Sequence, residues 1–110
     1  MGSRAQVKIE DTGVFLYTHW GADELAEEVR ETLSKRWRWQ DPEYLARIIF
    51  SGMIRGQEGG ETGFGIGTSQ HGDIEVLVTL NCQKQTVKVE RIYEKELSEF
   101  TFSEFINQGE

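Results

Sequence analysis

The apolar residues of this chain change period twice, and that change limits what it can fold into more than any other feature. Between Val7 and Tyr17 they follow the two-residue alternation of half-buried strands: Val7 and Ile9 against Lys8 and Glu10, then the β-branched and aromatic run Val14 to Tyr17. Asp11-Thr12-Gly13 between them makes either the turn of a hairpin or a bulge in one long strand, with the hairpin the preferred reading. From Ala22 the period becomes helical. Ala22, Leu25, Ala26, Val29 and Leu33 form one stripe, acids lead the segment, and Lys35, Arg36 and Arg38 close it in the order the helix dipole favours. Asp41-Pro42-Glu43 opens a second helix with Asp41 as its cap; Tyr44, Leu45, Ile48, Ile49, Gly52 and Met53 lie at core spacing and the helix ends near Gly56.

Beyond a Gly-rich loop at residues 57–61 the alternation returns. Phe64 and Ile66 point one way and Gly63, Gly65 and Gly67 the other, so one face of this strand has no side chains and invites close approach. Ile74 to Leu80, with Ile74, Val76, Val78 and Leu80 on one face, is the strongest strand, and Thr86 to Ile92 follows it. This order predicts an α+β fold: an antiparallel sheet of about five strands, ββααβββ, carrying two main helices on one face. Ser103 to Asn107 reads as a short terminal helix and Glu99 to Phe102 as an added edge strand. With 110 residues, 37% hydrophobic content and 1 Pro, the chain suits one core. Residues 7–107 are taken as a single domain, 1–6 as a disordered N-terminus or expression remnant, and 108–110 as a flexible end.

The chain carries 12 basic against 19 acidic residues, a net charge of −7. That balance disfavours nucleic acid and anionic lipid as partners, and any anion site belongs in the first 60 residues, which hold 8 of the bases. No apolar run is long enough to span a membrane and no leader is evident, so a cytoplasmic location is expected. The single Cys82 excludes an internal disulfide.

Two constellations carry binding chemistry. Tyr17-Thr18-His19-Trp20-Gly21 runs into a helix N-terminus, where free amides attract anions, His19 donates or carries charge and Trp20 stacks a ring. Tyr17, His19 and Trp20, with Gly63 and Gly65 of the bare strand face, are the candidate ligand-binding residues for a nucleotide-like or other anionic aromatic molecule. Against this, Trp20 stapling the helix by packing, with His19 hydrogen-bonded beside it, is the favoured reading of the segment. Arg36-Trp37-Arg38-Trp39 alternates guanidinium and indole groups, a composition common in protein hot spots, although two tryptophans sealing a helix corner explain it as well. Arg36, Trp37, Arg38, Trp39 and Arg47, with Phe100 and Phe102 of the aromatic tail, are the candidate interface residues. The surplus aromatics at Phe100 to Phe105 also suggest a homodimer.

Neither metal, cofactor nor catalytic residue is assigned. Only Asp73 and Glu75 share a strand face near His71, the glycine series lacks the G-K-[ST] ending of a phosphate loop, and no nucleophile elbow surrounds Ser69. An enzyme is therefore the less favoured class. The glutamates of the C-terminal region, from Glu90 to Glu110, form either a solvated face or a surface for a basic partner.

The segments D-T-G-V-F-L-Y-T-H-W-G from Asp11, R-W-R-W-Q-D-P-E-Y-L-A-R-I-I-F from Arg36 and E-T-G-F-G-I-G-T from Glu61 resemble a family of small bacterial and phage or prophage proteins with no assigned activity. The resemblance spans most of residues 7–90. It implies a small inhibitor or accessory protein that works by binding a host protein, and it puts His19, Trp20, Trp39, Tyr44, Arg47, Gly63 and Gly65 in the matching motifs.

Overall fold

A computed structural model describes residues 3–108. Alternation at the start of the chain gives the hairpin β1 (Ala5–Ile9) and β2 (Val14–Thr18), closed by Asp11-Thr12-Gly13 with Gly13 at φ 73°. Gly21, at φ 77°, turns the chain into α1 (Ala22–Leu33), and α2 (Pro42–Met53) packs beside it. Then follow β3 (Phe64–Gly67), β4 (Val76–Asn81), β5 (Thr86–Arg91), β6 (Glu96–Thr101) and α3 (Phe102–Asn107).

The six strands lie in the order β3-β2-β1-β4-β5-β6. The α+β class stands, but the sheet is mixed: β1 and β4 are parallel, with Val7 opposite Val78. Short turns after the helices suggested antiparallel pairing throughout. Instead, residues 68–75 carry the chain from β3 past two strands to the far side of β1, and a crossover of that kind brings the next strand in parallel. The sixth strand and the terminal helix are both present; Thr101 and Glu104 form a reciprocal capping box at the start of α3.

One sheet face, built from Ala5, Val7, Ile9, Leu16, Val76, Val78, Leu80 and Val87, is buried against Leu25, Val29 and Leu33 of α1, Leu45 and Ile49 of α2, and Phe102 and Phe105 of α3. The opposite face holds a smaller cluster of Phe15, Ile74 and Leu77. Ile74 therefore lies across the sheet from Val76, not on its face as the alternation suggested, because β4 begins only at Val76.

The segment expected to fall outside the domain is partly inside it. β1 starts at Ala5, and Gln6 is fully buried on the second face. Its amide donates to the Ser69 carbonyl (3.2 Å) and accepts from the His71 N–H (2.9 Å), pinning the crossover to the sheet. Residues 1, 2, 109 and 110 lie outside the described residues, as therefore do the ends of both proposed terminal segments.

Candidate functional site

The sheet separates the residues proposed as one ligand site. Alternation along β2 sends Tyr17 and His19 to the second face and Trp20 to the helix face. On the second face the Tyr17 ring stacks on His71 with centroids 4.5 Å apart, and the Tyr17 hydroxyl and Arg4 Nε both reach His19 Nδ1, at 3.2 and 3.3 Å. The Arg4 Nε–H can only donate, so Nδ1 is the acceptor in that contact. Arg4 also faces Asp73 at 3.5 Å. Gly65 lies across from Tyr17, with open space where a side chain would stand. Cys82 sits at the other end of the sheet, beyond β4, where its N–H donates to Asp11 Oδ1 (2.7 Å). Burial and the Asp11 carboxylate push its thiol up to about 12, so it is a core group and not a nucleophile for His19.

On the helix face Trp20 lies directly over Gly63. A Cβ at Gly63, which stands at φ 101°, would overlap the indole, so Gly63 is required both by the backbone and by the ring above it. The Trp20 ring meets Phe64 edge-on at 5.4 Å. Together with Met53 and α1 they line a cleft of about 280 Å³ whose rim is Glu24, Glu27, Glu28 and Glu31. Burial raises the Glu28 carboxyl above its usual range, an effect that the Arg55 guanidinium at 4.0 Å opposes. Glu28 Oε2 is buried with no hydrogen-bond partner among the described residues. At the start of α1 the Ala22 N–H donates to the Ser3 carbonyl (3.1 Å), and Asp23 and Glu24 occupy the first turn. An anion meets like charge here.

The aromatic–basic run behaves differently. Arg36 and Arg38 stand at φ 61° and 57°, a left-handed conformation that costs a side-chain-bearing residue on the order of 1 kcal/mol. These two reversals send the tryptophans to opposite sides. Trp39 folds inward: its Nε1 donates to the Leu33 carbonyl (3.0 Å) and its ring packs edge-on against Phe102 at 5.1 Å. Trp37 turns outward and is 56% exposed, as is Tyr44 at 55%, although Tyr44 lay at core spacing in the sequence. Each carries a cation over its ring, Lys35 Nζ 5.0 Å from the Trp37 centroid and the Arg38 guanidinium 4.5 Å from that of Tyr44. Arg38 also pairs with Asp41 (3.0 Å), which occupies the carboxylate expected to cap α2; the cap position makes no side-chain bond.

Arg47 joins this corner. With Lys35, Trp37, Ser51, Gly52 and Arg55 it lines a hollow of about 250 Å³ between α1 and α2. Phe102 is fully buried and Phe100 packs against the core, with its ring 5.7 Å from Phe105, so these two expected interface residues serve the interior. The aromatic surplus that suggested a homodimer is absorbed by α1 and α3. Tyr44 and Arg55 are the members of the corner that sequence spacing missed. Tyr44 lies on the apolar stripe, where an aromatic reads as core, and Arg55 lies off it, where an arginine reads as ordinary helix surface.

Among the described residues no three His, Cys, Asp or Glu side chains converge to hold a metal ion, and no helix is long and apolar enough to cross a membrane. No family model matches the chain, and no match was found among curated proteins or solved structures.

Proposed function

We propose that the protein acts by binding another protein, and that the corner between α1 and α2 is its docking surface. The observation that carries this reading is the pair of half-exposed rings, Trp37 under Lys35 and Tyr44 under Arg38, with Trp37 lining a hollow that also holds Lys35, Arg47 and Arg55. In a chain of net charge −7 this local excess of base favours a partner with an acidic docking face, whose approach it steers and whose apolar anchor contacts the rings. The resemblance to small bacterial and phage proteins supports a host protein as that partner.

The alternative, a small anionic aromatic ligand at Tyr17, His19, Trp20, Gly63 and Gly65, is the weaker reading. Its residues are divided between two faces of the sheet, and the cleft beside Trp20 is rimmed by four glutamates. Capture experiments with immobilised protein separate the two readings. A partner retained by wild type and Trp20→Ala but lost with Trp37→Ala supports the corner; retention by Trp37→Ala with loss in Trp20→Ala rejects it. Native mass spectrometry of freshly purified protein checks the alternative, which a copurified small molecule would support.

A further inference from the structure

The two ends of the sheet are finished differently. β6 ends one side with Glu96 and Glu99 on the strand and Glu94 just before it, charges that discourage pairing with another strand. β3 ends the other side with Phe64, Gly65, Ile66 and Gly67, none of them charged, and Ile66 is 65% exposed. Behind Ile66 the edge opens into a groove of about 390 Å³ lined by Val14, Leu16, Ala46 and Phe50, with Glu43 and Arg47 at its rim.

The backbone of this edge has a definite polarity pattern. The His19 N–H donates to the Gly63 carbonyl at 2.7 Å, which makes 19 and 63 a hydrogen-bonded pair of the β2–β3 ladder. Such pairs alternate in an antiparallel ladder, so Gly65 and Gly67 also turn their amide and carbonyl groups toward β2. Phe64 and Ile66 turn theirs outward. Four backbone groups at the free edge therefore lack a strand partner among the described residues.

We propose that a second copy of this chain occupies the edge, with two β3 strands pairing antiparallel about a twofold axis at Gly65. In that register Phe64 of one copy faces Ile66 of the other, and all four outward groups of each strand are bonded. Gly65 meets its symmetry mate on the axis in a non-hydrogen-bonded pair, where the backbones approach to about 4.5 Å. Gly65 carries no side chain, so the close pair on the axis is not crowded on the second face. On the helix face each Phe64 is brought beside the other copy's Ile66, at the mouth of the apolar groove. Charge selects this edge over β6: in chains of net charge −7 the four residues of β3 carry no charge while β6 carries Glu96 and Glu99, and the groove rim holds one acid and one base. A four-residue strand contact buries less than the roughly 1,200 Å² of a permanent interface, so the dimer is concentration-dependent. It adjoins the Trp37 corner, with Arg47 common to the groove rim and to the hollow beside Trp37.

Sedimentation velocity across a dilution series tests it. The expected result is a reversible shift from monomer to twice the chain mass, abolished by Ile66→Lys and unaffected by Leu97→Lys on β6, with far-ultraviolet circular dichroism confirming both folds. Amide exchange on wild type gives a second readout that needs no variant: the Phe64 and Ile66 amides gain protection as concentration rises. A monomer at every concentration, a dimer broken by Leu97→Lys and not by Ile66→Lys, or unprotected Phe64 and Ile66 amides in a dimer would each overturn the proposal. A monomer whose β3 edge instead pairs with an extended peptide would do the same.

Discussion

Trp20 and Trp37 stand just beyond opposite ends of α1, and they are used in opposite ways. Trp20 sits over a glycine that nothing larger can replace, against Phe64 and within a rim of glutamates. Trp37 is held outward by left-handed arginines on both sides, among bases, while Trp39 two residues later takes the packing role. An aromatic next to a helix end thus reports binding only when the local backbone prevents it from folding back. The same difference separates the charges: acids collect along the first turns of α1 and bases beyond its last.

Several substitutions would break or sharpen that contrast. Trp39→Ala has the largest expected effect, a loss of about 3 kcal/mol in chemical denaturation, because it removes a packed ring and leaves the Leu33 carbonyl without its indole donor. Gly63→Ala comes next at about 2 kcal/mol, from the positive φ and the displaced Trp20 together; near-ultraviolet circular dichroism should register the movement of the indole. A wild-type signal and unchanged stability would mean that Trp20 is not clamped.

Glu28→Gln tests the acidic side. The folded state raises this carboxyl, so its favourable contribution is fully present below the unfolded value of 4.5 and is lost as pH rises through the higher folded value. At neutral pH the half-buried charge is a net cost. The glutamine variant should be more stable than wild type there by about 0.5 kcal/mol, with the gap closing in thermal melts as pH falls through the raised folded value and gone below 4.5. The smallest effect belongs to Trp37→Ala, whose melting should stay within about 0.5 kcal/mol of wild type because its ring packs on no core residue.

Much of this architecture was legible because local pattern and tertiary role agree. The α1 stripe at Leu25, Val29 and Leu33 and the alternating faces of β3 follow directly from period, while for β1 and β2 period leaves a hairpin or one bulged strand and the structure has the preferred hairpin. The parallel β1–β4 pair was not legible, since strand alternation is blind to which neighbour a strand takes and the crossover is held by Gln6, a polar residue whose burial no periodicity announces. The candidate site was half legible. Arg36 to Trp39 stood out by composition, but sending Trp37 outward and Trp39 inward depends on backbone reversals at two arginines, residues with no preference for that conformation. For Tyr17, His19 and Trp20, contiguity in sequence concealed their separation by the sheet, even though strand alternation contains that information.

The most direct test of the docking surface is the affinity of the captured partner for wild type and for Trp37→Ala, measured by isothermal titration calorimetry on proteins with matched melting temperatures. The account expects the exposed indole to be an anchor, so its removal should weaken binding by at least tenfold, or about 1.4 kcal/mol. Equal affinity for the two proteins would contradict it.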